Sequence, residues 1–170
     1  MNEIMPIILT IIIFIGAIIL GYVILSNNLK SYKIKIDEAQ LVVDELLKTK
    51  LDLLNSTKEI ITKEIEVDSK FFTNLKNIEY ESLSMFNLDR KLIESYELIQ
   101  QIKDDYSEID ELDSFKDIIG EVQTVDEKLE ATKAFYNKYT KKLNNLTKKF
   151  PTNLLAKILK IENKSYFKID

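Results

Sequence analysis

The sequence predicts an all-α protein: an N-terminal transmembrane helix continuing into an antiparallel bundle of three long helices plus a short C-terminal helix. Three observations predict it. The 170 residues include only 3 Gly and 2 Pro, so the residues that punctuate turns and loops are scarce. The 22 residues from Ile4 to Leu25 carry no charge. Beyond them, apolar residues recur at spacings of three and four, the period of a helix with one buried face. The chain therefore divides into an anchor over residues 1–29 and a helical bundle over residues 30–170.

The anchor reads IMPIILTIIIFIGAIILGYVIL. At about 1.5 Å per residue it covers roughly 33 Å, close to the roughly 30 Å of a bilayer's hydrocarbon core. A helix apolar on every side needs lipid or a very large core around it. A cleavable signal peptide would start basic, carry a shorter apolar run and end in small residues. Here Met1, Asn2 and Glu3 come first, and Ser26-Asn27-Asn28 comes after the run. An uncleaved single-pass span in the cell membrane is expected, with the lipid bilayer as its first partner. Lys30, Lys33 and Lys35 lie just beyond the span and only Glu3 precedes it. The positive-inside bias then places the N-terminus outside and the C-terminal domain in the cytoplasm.

The first long helix continues directly from the span, because no Gly or Pro separates Tyr22 from Val67. Its stripe is Ala39, Val43, Leu46/Leu47, Leu53/Leu54, Ile60/Ile61 and Ile65. Lys50 interrupts this stripe; its methylene stem can cover core while its amine reaches water. DSKFFTN, residues 68–74, breaks the pattern as a turn. The second stripe is Leu75, Ile78, Met85/Phe86, Leu92/Ile93, Tyr96, Ile99 and Ile102. The acidic DDYSEID, residues 104–110, is the next turn. The third stripe is Leu112, Phe115, Ile118/Ile119, Val122, Val125, Leu129, Tyr136, Leu143, Leu146 and Phe150, with Thr132 or Lys133 and Tyr139 or Thr140 in its gaps. Gly120 weakens that helix without ending it.

Helices near 36–67, 74–104 and 111–150, joined by short loops, run side by side and antiparallel. A continuous coiled-coil dimer is the competing architecture; the loops and unequal stripes favour the bundle. Pro151 lacks an N–H and disfavours helical geometry at Phe150, so the third helix ends there. Thr152 or Asn153 is expected to cap the next turns. Leu154, Leu155, Ile158 and Leu159 form a two-turn apolar face, too short to be stable alone. Its expected docking place is the end of the bundle away from the membrane, near Phe71 and Phe72.

The composition excludes much chemistry. Cys, His and Trp are absent, which removes disulfides, thiolate and imidazole metal sites, Cys nucleophiles and Ser-His dyads. A net charge of −4 argues against a nucleic-acid binder. Residues 104–113, DDYSEIDELD, are the densest carboxylate cluster, but the spacing and central Gly of a calcium loop are missing. Tyr136 and Tyr139 read as core rings whose hydroxyls find a partner. No phosphate-binding or nucleophile-elbow motif occurs. No catalytic, cofactor-binding or metal-ligating residue is assigned, no cofactor is expected, and no small-molecule substrate is predicted.

Charge is segregated. Residues 75–130 carry 16 acidic and 6 basic side chains, and residues 131–168 carry 10 lysines and one acid. If the second helix returns toward the membrane, the acidic turn lies near Lys30, Lys33 and Lys35, and the basic half of the third helix lies far from the membrane. The asymmetry then reads either as intramolecular complementarity with solvated faces, or as a surface for an anionic partner at Lys141, Lys142, Lys148 and Lys149.

The C-terminal residues carry a resemblance. Tyr136-Asn137, Phe150-Pro151-Thr152-Asn153 with Leu154 and Ala156, and Tyr166-Phe167 resemble the end of LemA family proteins, which are bacterial, membrane-anchored and helical. A second Tyr-Asn pair of that family is Leu143-Asn144 here. Lys133 stands where Arg is common, and Asp126 where Glu is common. Helix 1 is similar through Ala39, Val43-Asp44, Leu47, Lys50 and Asp52-Leu53, with Lys50 where the family commonly has Arg. The family's Asp-Leu-Ile-Pro-Asn is DLLNS here, so the Pro is missing and a straighter first helix is expected. The family's Gly-Phe after the short helix is Lys160-Ile161, and its His toward the end of helix 1 is absent. The resemblance implies the same architecture and no settled activity or cofactor. The first functional expectation is a non-catalytic interaction or scaffold protein at the membrane with other proteins as partners. The second is a sensor or membrane-organising protein acting by self-association, and the third a metal-dependent enzyme.

Overall fold

The computed structural model describes residues 4–65, 72, 78 and 83–168. All regular structure among them is helical: α1 (Ile4–Glu64), α2 (Met85–Asp105), a 3-10 helix (Ser107–Glu111), α3 (Asp113–Lys148) and α4 (Thr152–Ile158). The expected all-α class, with a long apolar N-terminal helix followed by further helices, is the one observed. α1 runs unbroken for 61 residues, through Leu54 and Asn55. The hydroxyls of Thr49, Ser56, Thr57 and Thr62 bond carbonyls one turn earlier, at 3.0, 3.1, 2.8 and 2.9 Å. Their polarity is thereby satisfied within the helix rather than competing with it. α3 passes through Gly120 without interruption.

α2 begins eleven residues later than the periodicity suggests. Ser84 is extended (φ −66°, ψ 149°) and its Oγ accepts a bond from the Asn87 N–H at 3.4 Å. A serine in this setting satisfies an amide that has no partner inside the helix. Of the expected turn at 68–74 only Phe72 is described, and it is buried; the rest, with Leu75, lies outside the described residues. The acidic turn is the 3-10 helix, and it buries Ile109 beneath its carboxylates.

The chain forms two compact units. The first is a three-helix unit of Ala39–Phe135 with Phe167–Asp170. Its core holds Val43, Leu47 and Leu54 of α1, Leu88, Leu92 and Ile99 of α2, and Phe115, Val122 and Leu129 of α3. Each such side chain taken from water stabilises by about 1.5–3 kcal/mol. Phe86 packs tilted against Phe167 with centroids 4.5 Å apart, which ties Phe167 into this unit.

Helix directions within the unit differ from the expectation in one respect. Lys50 of α1 meets Asp126 of α3 beside Tyr96 of α2, Lys133 meets Asp89, and Glu64 and Ile65 lie with Glu108, Ile109 and Leu112. α2 therefore runs in the same direction as α1, and α3 runs antiparallel to both. The acidic turn, expected beside Lys30, Lys33 and Lys35, lies instead with the Glu64 end of α1; those lysines belong to the other unit. An apolar stripe fixes which face is buried but not which way the helix points.

The second unit joins Met1–Glu38 to Tyr136–Tyr166. The side chains of residues 4–24 are exposed apart from Gly16 and Gly21, and burial begins at Ser26 and Leu29. Leu29, Ile36, Tyr136, Leu143, Leu155 and Ala156 form the core. α4 thus belongs with the start of α1 rather than with Phe72, the expected docking partner, which is in the other unit; Phe71 lies outside the described residues. The expected side-chain cap is also absent, since Pro151 occupies the N-cap position. Backbone bonds replace it: the Asn153 N–H donates to the Lys149 carbonyl at 2.7 Å, and the Leu154 N–H to the Pro151 carbonyl at 3.1 Å. Phe150, expected to close the third stripe, is 79% exposed, because the chain turns at residues 149–151 before its ring can reach the core.

α4 ends in a Schellman arrangement. The Ile161 N–H donates to the Ala156 carbonyl at 2.8 Å and the Lys160 N–H to the Lys157 carbonyl at 3.2 Å. Lys160 has φ 51°, the left-handed conformation that this motif requires and that glycine adopts at no steric cost. Lys160→Gly is expected to stabilise the full chain by about 0.5–1 kcal/mol, the strain relieved less the entropy gained by the unfolded chain. Denaturant unfolding in micelles checks it; unchanged or lower stability would contradict the strain at Lys160.

Residues 163–166 are clamped to α3. Asn144 Oδ1 accepts from the Lys164 N–H at 2.9 Å, and its Nδ2 donates to the Lys164 carbonyl at 2.8 Å and the Tyr166 hydroxyl at 3.2 Å. Thr147 adds a bond to Asn163 Oδ1 at 2.6 Å.

Candidate functional site

Charges on the buried faces of helices converge in the three-helix unit. Lys50 sits on the apolar stripe of α1 and is only 3% exposed, so its amine does not reach water as expected. Its Nζ lies 2.5 Å from Asp126 Oδ1, with the Tyr96 ring centroid 5.4 Å away. On α3, two turns beyond Asp126, Lys133 places its Nζ 3.2 Å from both oxygens of Asp89. The side chains of this second pair are 4% and 8% exposed. Asp89 and Tyr96 are likewise two turns apart, on one face of α2. The two ion pairs are therefore stacked about 10 Å apart along the unit.

A groove of about 430 Å³ opens over both pairs, lined also by Ile93, Gln123, Glu127 and Glu130. Each ammonium is matched by one carboxylate, so the two pairs together carry no net charge. Pairing offsets a desolvation cost of several kcal/mol per ion, and removing one partner leaves that cost standing. Lys50–Asp126 joins α1 to α3, and Lys133–Asp89 joins α3 to α2. A charge pair fixes register where Leu and Ile would tolerate sliding. Among the described residues no group of three or more carboxylates is arranged to hold a metal ion.

The sequence singles out Lys50, Asp126 and Lys133, but the pattern neither pairs them nor draws the eye to Asp89. A signal exists all the same: Asp89 lies three residues after Phe86 and three before Leu92, in the apolar stripe of α2. A charge on a stripe asks for an opposite charge on the facing stripe.

The lysines singled out for an anionic partner, Lys141, Lys142, Lys148 and Lys149, lie on or just beyond the last third of α3, and all four are exposed. They lie in the unit that contains the start of α1, not remote from it. The Lys142 ammonium lies 5.6 Å from the Tyr32 ring centroid and 5.2 Å from that of Tyr139, and Lys35 lies 4.7 Å from Tyr139. Tyr32 and Tyr139 themselves are 5.9 Å apart. The third helix is antiparallel to α1, so its basic end returns to the lysines beyond Leu25. Below this cluster Tyr136 is buried. Burial pushes its hydroxyl above the ordinary tyrosine value, the nearby Thr140 hydroxyl opposes that shift, and Asp37 adds to it. The stretch from Ile4 to Leu25 lies within a helix long and apolar enough to cross a membrane.

No curated protein matches the chain. The model of the LemA family matches residues 39–170, a range that includes both ion pairs, the Asn144 clamp and the turn at Pro151. With the helical architecture and the convergence of Lys50, Asp126 and Lys133, three positions of the resemblance, in one groove, this match settles the family: the chain belongs to the LemA family.

Proposed function

We propose that this protein is a single-pass membrane protein of bacteria that acts without catalysis, presenting helical faces to other proteins beside the membrane. The observation that carries this reading is the continuity of α1, which leads from the apolar span straight into the three-helix unit. The charged groove there supports it, because its cations are occupied by its own carboxylates. A second reading, self-association, is favoured by Leu41, which is 72% exposed on α1 with Val42 beside it.

One experiment addresses both. A photo-crosslinking amino acid replaces Leu41 in the full chain, and native membranes are irradiated. Adducts of other mass that vanish when Val42→Asp is added are expected from the first reading. An adduct of twice the chain's mass supports the second. Absence of any adduct counts against both. Metal analysis of the purified chain tests the non-catalytic part, which stoichiometric bound metal would overturn.

A further inference from the structure

α4 has one face that the protein covers and another that it does not. Thr152, Leu155 and Ala156 are buried, whereas Leu154 is 50% and Ile158 68% exposed. Leu154 and Ile158 stand one turn apart on one edge of α4, and Phe150, 79% exposed, precedes that helix in the turn. Three large apolar side chains are thus left uncovered between the end of α3 and the end of α4. Lys148, Lys149, Lys157 and Lys160 flank them in sequence, and all four are exposed. Residues 136–166 carry eight lysines and one acid, Glu162.

The register of the unit places this edge. Tyr32 meets Tyr139, and Lys33 shares a small cleft with Leu143, Lys160 and Lys164. α1 and α3 are antiparallel here. About seven residues further along each helix, at about 1.5 Å per residue, residues 146–150 come level with Leu25 and Ser26. Burial agrees. Ser26 and Leu29 are the first well-covered residues of α1, and a helix's own neighbours cannot close over a leucine. In this unit only the 136–166 segment is available to cover them. The exposed apolar edge therefore stands where the uncharged stretch ends.

We propose that the Phe150–Ile158 edge is a second membrane contact, seated in the interface of the leaflet from which α1 emerges, with the surrounding lysines on anionic lipid headgroups. This rests on the reading of residues 4–25 as a span. The combination is the one that interfacial helices use: apolar side chains at the acyl boundary, and basic ones at the headgroups. A seven-residue helix has too few turns to hold itself in water; here one face is held by α1 and α3 and the other by lipid. The contact would fix the rotation of the anchor relative to the bilayer surface, which a lone span leaves free.

The chain has no cysteine, so single cysteines can be placed in the full protein without background. Fluorophores at Leu154→Cys and Ile158→Cys are compared with one inside the span, Ile12→Cys, and one on the three-helix unit, Lys116→Cys. The protein is reconstituted in vesicles of phosphatidylcholine, with or without about one-third phosphatidylglycerol, a fraction within the range that gives a negative surface potential. Quenching by lipid-borne nitroxide and by aqueous iodide is read at each site. The expected result is lipid-borne quenching at 154 and 158 in anionic vesicles, several-fold above that at 116. Lys148→Glu with Lys149→Glu should lower the membrane-seated ratio by about fivefold or more per lysine. Circular dichroism confirms that these variants remain folded.

Iodide quenching alone at 154 and 158, with lipid quenching at 12, overturns the contact and leaves the span standing. Protection of 154 and 158 from both quenchers also overturns it, and points to a protein, such as a second copy, on that edge. Equal lipid quenching in neutral vesicles, unchanged by the Glu substitutions, overturns the headgroup assignment. Lack of lipid quenching at 12 removes the span and this inference with it.

Discussion

Replacing Lys133 with alanine is expected to destabilise the chain by about 3–5 kcal/mol, because it strands the Asp89 carboxylate in the core. Asp89 is 6% exposed and both of its oxygens face the Lys133 ammonium. The other lysine lining this groove, Lys50, is engaged with Asp126 and does not replace it. The companion variant, Lys133→Met with Asp89→Leu, removes both charges and keeps the volume. It should recover to within about 1–2 kcal/mol of the parent, since a buried pair gains little over a well-packed apolar substitute. Denaturant unfolding of the three chains in micelles, followed by circular dichroism, gives the comparison. If Lys133→Ala alone costs under about 1 kcal/mol, the pair is hydrated rather than buried. If the double variant is as unstable as the single one, the pair's contribution lies in packing of the lysine stem rather than in charge.

The second large effect is expected at Asn144. Asn144→Ala removes both bonds to the Lys164 backbone and the bond to the Tyr166 hydroxyl. Backbone groups left without a partner cost about 1–3 kcal/mol, depending on how far water can replace the amide. A total loss of about 2–3 kcal/mol is expected from these bonds, concentrated in residues 160–166. Hydrogen exchange locates it: the Lys164 amide should lose protection by about tenfold or more, while amides of α2 change little. Asn144→Asp makes a sharper control. It keeps the acceptor for the Lys164 N–H but loses the donor to the Lys164 carbonyl, so it should fall between the parent and the alanine variant. Uniform loss of protection across both units would mean that Asn144 acts on global stability instead of holding this segment.

The helices are legible in the sequence because burial imposes a period. Val43, Leu47, Leu54 and Ile61 of α1 and Phe115, Val122 and Leu129 of α3 are buried where the stripes place them. The direction of α2 is not legible in its stripe, because a row of Leu and Ile reads the same from either end. The direction is written instead in the polar exceptions: Asp89 has its partner at Lys133, and Lys50 has its partner at Asp126. The start of α2 shows a similar limit. Leu75 and Ile78 fit the helical period, yet Ser84 supplies the cap and Ile78 is not helical. The tip at Pro151 is half legible. The stop at Phe150 follows from proline chemistry, but which apolar residues beyond it turn inward depends on where α4 docks.

The pairing of Lys50 with Asp126 also has a meaning in time. The two residues are 76 positions apart, and α1 is synthesised first. At roughly 5–20 residues per second, Lys50 leaves the ribosome's catalytic centre about 4–15 s before its counter-ion is made. Through that interval the first helix cannot complete its buried face, whereas the apolar stretch from Ile4 to Leu25 is already available to insert. On the proposed reading of Ile4–Leu25 as a span, its insertion has a head start over assembly of the three-helix unit, whose buried charge on α1 waits for α3 to be matched.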